Sequence, residues 1–144
     1  MIEKSDFLDV LNREGFVVSH HQGNSMYPLV KLEDQLVLLK KNRQPKLYDI
    51  VVYKVSDNKY CIHRIIGELD DKYIIRGDNC LNNEYVKKDE ILGYLDTIYH
   101  NDKEIKINDE LNIKYYRKSC RSLPYRKGKV YIKNFIKRLI GYNK

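Results

Sequence analysis

DIVVYKVSDNKYCIHRIIGELDDKYIIR, residues 49–76, decides the fold class. It divides into three runs rich in β-branched and aromatic residues, Asp49 to Val55, Lys59 to Gly67 and Lys72 to Arg76, which favour a pleated, half-buried surface. Ser56-Asp57-Asn58 separates the first two and Glu68 to Asp71 the last two. Both gaps have the length and polarity of hairpin loops, so the stretch predicts an antiparallel meander. Gln35 to Lys40 before it and Ile91 to Tyr99 after it read as further strands. At the front, Phe7, Leu8, Val10 and Leu11 fall at helical spacing, with Ser5 as a candidate N-cap and Gly15 as a stop. The expected body is mainly β: an antiparallel fold opened by a short N-terminal helix.

Beyond Asn101 the pattern changes. Asp109 to Arg121 suits a helix, Leu123-Pro124 interrupts it, and Tyr131 to Ile140 sets Ile132, Phe135, Ile136, Leu139 and Ile140 on one helical face. Charge changes with it. Of the 27 Lys and Arg, eleven lie between Lys114 and Lys144 with no Asp or Glu among them, leaving 16 basic against 20 acidic groups in residues 1–113. The formal charge of +7 therefore sits wholly in the tail. We read residues 1–113 as one domain and residues 114–144 as a basic helical extension whose partner carries negative charge.

The chain has 144 residues, enough for one core and too few for two full-sized ones. Its composition, 42% hydrophobic and 33% charged, is that of a globular protein and not of a disordered or fibrous one. Met1 to Val10 carries Glu3, Asp6 and Asp9 and lacks the pattern of a secretory signal, and nowhere do about 18 consecutive apolar residues occur. The three cysteines, Cys61, Cys80 and Cys120, are an odd number without a CxxC pair and read as reduced thiols. A cytoplasmic location is the expectation.

The chemistry begins at His21-Gln22-Gly23-Asn24-Ser25-Met26-Tyr27-Pro28-Leu29. This glycine-bearing turn presents a serine just before an apolar segment. A nucleophilic serine needs such exposure, with backbone N–H groups near the developing oxyanion. In order along the chain follow Asp49-Ile50-Val51-Val52-Tyr53, then Cys61-Ile62-His63-Arg64-Ile65-Ile66-Gly67, then Arg76-Gly77-Asp78-Asn79. This ordered series resembles the sequence boxes of type I signal peptidases and the related LexA-like serine peptidases, over roughly residues 20 to 95.

The resemblance implies a signal peptidase-like, LexA-like β fold and a serine endopeptidase that works through an acyl-serine intermediate. It makes Ser25 the nucleophile, with the backbone of Gly23 and Ser25 at the oxyanion, and puts His63 where the bacterial housekeeping enzymes hold a catalytic lysine. A histidine is the base of the endoplasmic-reticulum and archaeal type, and an imidazole can accept a serine proton near neutrality without strong desolvation. Such a base works best with a carboxylate to hold its tautomer. Asp78, at the end of the neighbouring strand, is the first candidate; Glu84, matching a second acid in the histidine-type members, is the other. Two departures stand out: Tyr48 replaces the glycine that members usually carry before Asp49, and no membrane-spanning anchor is present. A cytoplasmic peptide or protein precursor, leader-like and with small residues before the scissile bond, fits such a chain better than a secretory preprotein.

No cofactor or metal is implied, since neither Cys61-x-His63 with Cys80 nor His20-His21 has a zinc-site spacing. The helical face at Ile132, Phe135, Ile136 and Leu139 suits either packing on the body or lying on an anionic membrane surface, which would make the protein peripheral on the inner face. Nucleic acid is the weaker partner, because no recognised reading motif accompanies the charge. Two other functions compete with a precursor-cleaving enzyme. One is a self-cleaving LexA-like regulator, against which stand His63 in place of lysine and the roughly twenty residues before Gly23, too few for a helix-turn-helix domain. The other is an inert peptidase-like adaptor that binds membrane or nucleic acid through its tail.

Overall fold

The structure, a computed structural model, describes residues 4–31, 35–57 and 59–141. Helix α1 (Lys4–Glu14) leads into strands β1 (Phe16–His20), β2 (Leu36–Lys40), β3 (Ile50–Ser56), β4 (Lys59–Leu69), β5 (Lys72–Arg76), β6 (Glu84–Lys87), β7 (Ile91–His100) and β8 (Lys103–Lys106), and helix α2 (Asp109–Leu139) closes the chain. The eight strands form one antiparallel sheet in the order β1-β2-β7-β3-β4-β5-β6, with β8 paired to β7. The expected meander is β3-β4-β5, which β6 extends. Asn58 of the first expected loop lies outside the described residues, and the second narrows to Asp70-Asp71, with Asp70 at φ 54°.

β3 has four consecutive buried residues, Ile50 to Tyr53, because both faces of the sheet are covered there. Ile50 and Val52 join the larger core, where Phe7 and Leu11 of α1 and Met26, Leu29 and Val30 pack on Val37, Leu39, Leu95 and Ile98. Val51 and Tyr53 face the other way, into a second cluster with Ile65, Tyr73, Ile75, Val86 and Tyr94. Burying a side chain such as Leu11 completely contributes about 1.5–3 kcal/mol, which is what fixes α1 on the sheet. Helix α1 begins one residue before Ser5 and ends where Gly15, at φ 78°, returns its N–H to Leu11 O at 2.9 Å.

β1, β6 and β8 escape the sequence reading for one reason. Each is four or five residues long and buries no more than one side chain, so pairing with a neighbour's backbone, not apolar content, makes it a strand. The C-terminal region differs more. Pro124 does not interrupt; one 31-residue helix runs from Asp109 through it to Leu139. Proline removes one helical N–H and crowds the preceding turn. The carbonyl left without that donor is Cys120's, four residues back, and one residue earlier the Ser119 carbonyl accepts side-chain bonds from Ser122 Oγ at 3.1 Å and Arg126 Nη1 at 3.4 Å. The Asn108 side chain caps the start by accepting from Leu111 N at 2.8 Å. α2 thus crosses the 113/114 composition break without a change in backbone. No helix among the described residues is long and apolar enough to cross a membrane.

Candidate active site

Ser25 lies on the turn between β1 and β2, half-buried, with Met26 fully buried behind it as its anchor in the core. Gly23 has φ 86°, a conformation open to glycine at no steric cost, and a side chain there would meet nothing within 4 Å. Its glycine therefore serves the turn and not a close approach of backbone. Among the described residues the Ser25 N–H makes no intramolecular hydrogen bond, and its carbonyl accepts from Asn79 N at 2.9 Å. Asn79 Nδ2 also donates to Asn24 O at 3.2 Å. The Gly77-Asp78-Asn79 segment thereby clamps the serine turn.

The close approach is at Gly77. A Cβ on it would stand 2.8 Å from Ser25 O, 3.1 Å from His63 Cδ2 and 2.6 Å from Cys80 Sγ. Ser25 and His63 therefore flank the same glycine, Ser25 from the turn and His63 from β4. The alternation of β4 puts Cys61 and His63 on one face, and the pairing of Cys61 with Tyr53 places the tyrosine of β3 beside them.

His63 is held on both ring nitrogens. Nδ1 is 2.9 Å from Tyr53 Oη and 3.3 Å from Glu84 Oε2, and the Tyr53 hydroxyl donates to the same Glu84 oxygen. With the phenol proton directed to Glu84, both neighbours of Nδ1 act as acceptors, so the ring proton resides on Nδ1 and Nε2 keeps its lone pair. Nε2 faces Cys61 Sγ at 3.3 Å. No hydrogen bond joins Ser25 to His63 among the described residues. Burial first, then the bond to Glu84, pushes the Tyr53 phenol well above its ordinary range, so it stays protonated. Burial pushes the Cys61 thiol up to about 11 and raises Cys80 as well, so neither is a ready thiolate. His21, buried beside the turn, is shifted down, chiefly by desolvation and further by the nearby His63, against a backbone contact with Gly23 that works the other way.

The two candidate acids take different places. Glu84, the first residue of β6, reaches His63 with its side chain 47% exposed against 8% for His63. Asp78, the first candidate from sequence, does not meet the histidine: Arg64 Nε and Nη2 grip its two oxygens at 2.8 and 2.7 Å, with both side chains almost wholly buried. His63 and Arg64 are adjacent on β4 and point to opposite faces, so the acid that serves one is turned from the other. Arg64 Nη1 further donates to Tyr48 O and Asn112 Oδ1, both at 2.8 Å, and Ser119 Oγ donates to Asp78 O at 2.8 Å. Tyr48 sits at φ 74°, which is why glycine suits that position, and its ring stacks on Tyr116 of α2 at 4.5 Å.

The sequence reading assigned no role to Tyr53, Arg64, Gly77, Asn79 or Asn112. Gly77 and Asn79 stand in a quoted box and Tyr53 in another, so the signal was present without the contact. Asn112 and Ser119 carry no such mark. Among the described residues no group of three or more His, Cys, Asp or Glu is arranged to hold a metal ion. A concavity of about 660 Å³ along α2, lined by Glu110, Ile113, Lys114, Arg117 and Arg121, is not lined by any of the candidate site residues. The chain matches no protein-family model and no curated protein.

Proposed function

We propose that the chain is a serine endopeptidase of signal peptidase-like and LexA-like fold, cleaving a peptide or protein precursor. The observation that carries this reading is the His63 ring, its Nδ1 bound by Tyr53 and Glu84 and its edge set against the Gly77 that also abuts Ser25. That is the base and orienting acid of a nucleophilic triad, beside a serine on an anchored turn.

Ser25 Oγ attacks the scissile carbonyl while His63 Nε2 takes its proton, and Glu84 stabilises the imidazolium through Nδ1. The Ser25 N–H, without an intramolecular partner among the described residues, is free to donate to the oxyanion. Collapse breaks the C–N bond, His63 passes the proton to the leaving amine, and water then hydrolyses the acyl-serine by the same route. The Cys61 thiol gives way at Nε2 when the serine approaches; catalytic contacts commonly tighten only in the substrate complex. An extended substrate suits the surroundings, because the outer strands of the sheet order, β1 and β6, both reach the site, one leading to the serine turn and the other starting at Glu84.

The test is labelling by a serine-directed acylating probe. Wild type should be labelled at Ser25, Ser25→Ala not at all, and His63→Ala far more slowly, with all three folded by circular dichroism. Equal labelling of wild type and Ser25→Ala would overturn the reading.

A further inference from the structure

α2 is two structures in one helix. Its first half is fastened to the body along a single line: Asn112 to Arg64, Ser119 to the Asp78 carbonyl, and Arg126 Nη2 to the Cys80 carbonyl at 3.2 Å. These anchors are spaced by seven residues, two helical turns, so they share one face. Beyond Arg126 every described residue is exposed, and the helix continues for 13 residues, roughly 20 Å, away from its last anchor.

This arm is not polar all round. Ile132, Phe135, Ile136 and Leu139 recur along it at spacings of three and four, with Tyr125 seven residues before Ile132 at its root, and each is 50–72% exposed. Counted at about 100° per residue, they centre roughly 145° from the anchor line, while exposed Val130 and Ile140 fall nearer to that line. The face that binds the body and the main apolar face of the arm therefore point well apart, and the body contact does not cover these side chains. Packing on the body, one of the two arrangements open from sequence, is not adopted.

We propose that the arm is a docking helix for an anionic lipid surface. Lys127, Lys129, Lys133, Lys137 and Arg138 give it five cations and no acid. Lys129 and Arg138 border the apolar face on its two sides, where their stems can follow it while their charges meet headgroups. A second copy of the arm brings the same five cations, so pairing two apolar faces sets like charges together with no acid to offset them. With the apolar face in the lipid, the anchor line and the body above it face water. The arm is too short to span and suits the interface plane. This inference is independent of the peptidase reading.

Co-sedimentation with phosphatidylcholine vesicles, with and without phosphatidylglycerol, tests it on the full chain. Binding should require phosphatidylglycerol, weaken with salt, fall about fivefold for each of Lys129 and Arg138 changed to Gln, and drop at least tenfold in Phe135→Ser/Leu139→Ser. The chain has no tryptophan, so single reporters can be introduced. Phe135→Trp should shift to the blue on adding anionic vesicles and Asn134→Trp should not. Equal binding to neutral vesicles, no binding at low salt, or equal shifts in both reporters would overturn the proposal. So would a dimer seen by sedimentation and abolished by Leu139→Glu, without vesicle binding.

Discussion

Arg64 and Asp78 form a bidentate pair, at 2.8 and 2.7 Å, buried directly behind the candidate active site. Through the same two residues the C-terminal helix is tied to the strand that carries His63 and to the segment that holds the Ser25 turn. A buried pair of this kind need not add net stability, yet removing one partner leaves an uncompensated charge. Asp78→Ala should therefore lower unfolding free energy by about 3–5 kcal/mol in urea denaturation. Glu84→Gln should change it by less than about 1 kcal/mol, since that side chain is half exposed. On a cleavable peptide, Glu84→Gln should lower kcat by roughly a hundred- to ten-thousandfold. The reverse pattern would make Asp78 the catalytic acid.

Gly77 admits no side chain without displacement, because a Cβ would lie 2.8 Å from the Ser25 carbonyl and 2.6 Å from Cys80 Sγ. Gly77→Ala should cost about 1–3 kcal/mol and suppress labelling of Ser25 by the acylating probe. Removing the thiol clash in Gly77→Ala/Cys80→Ala should not restore labelling, since the backbone clash remains. Full recovery in the double variant would place the effect on the cysteine alone.

Tyr48 holds a left-handed backbone, which costs a non-glycine residue about 1–2 kcal/mol, and offsets part of it by stacking on Tyr116. Tyr48→Ala keeps the strain and loses the stacking, whereas Tyr48→Gly loses both. Glycine should be the more stable variant by about 1 kcal/mol after its greater unfolded-state freedom is counted. Denaturation midpoints for the two variants check this directly.

His21 is buried, its Nε2 has no partner among the described residues, and burial lowers its pKa from the ordinary 6.5. The folded state thus favours neutral imidazole. Its contribution is fully present above the unfolded value and is lost as pH falls from there through the lowered folded value. Between about pH 7.5 and 5.5, wild type should lose more stability than His21→Gln. A parallel fall in both would show that His21 titrates alike folded and unfolded.

Residues 49–76 declared their three strands because long alternating and β-branched runs bounded by polar gaps have few other uses. β6 could not be read the same way, for Glu-Tyr-Val-Lys is four residues with a single buried side chain, and only the edge of β5 makes it a strand. That strand delivers Glu84 to His63. Position in an ordered set of motifs made Ser25 and His63 candidates, but whether Asp78 or Glu84 reaches the histidine was not legible, because a sequence shows that two acids are close in the chain and not which way each turns.

The chain's own order of residues determined an antiparallel β body, a serine on a glycine-bearing turn, a histidine on a central strand and a basic, amphipathic end. These follow from local properties: side-chain periodicity, turn chemistry and charge count. Tertiary structure alone decided that Arg64 takes Asp78, that Glu84 and Tyr53 hold His63, that Gly77 is where the serine and histidine sides meet, and that the C-terminal helix passes through Pro124. Each of these depends on partners at least ten residues apart, the helix included, since Asn112, Ser119 and Arg126 tie it to the body on both sides of the proline, and no local pattern encodes them.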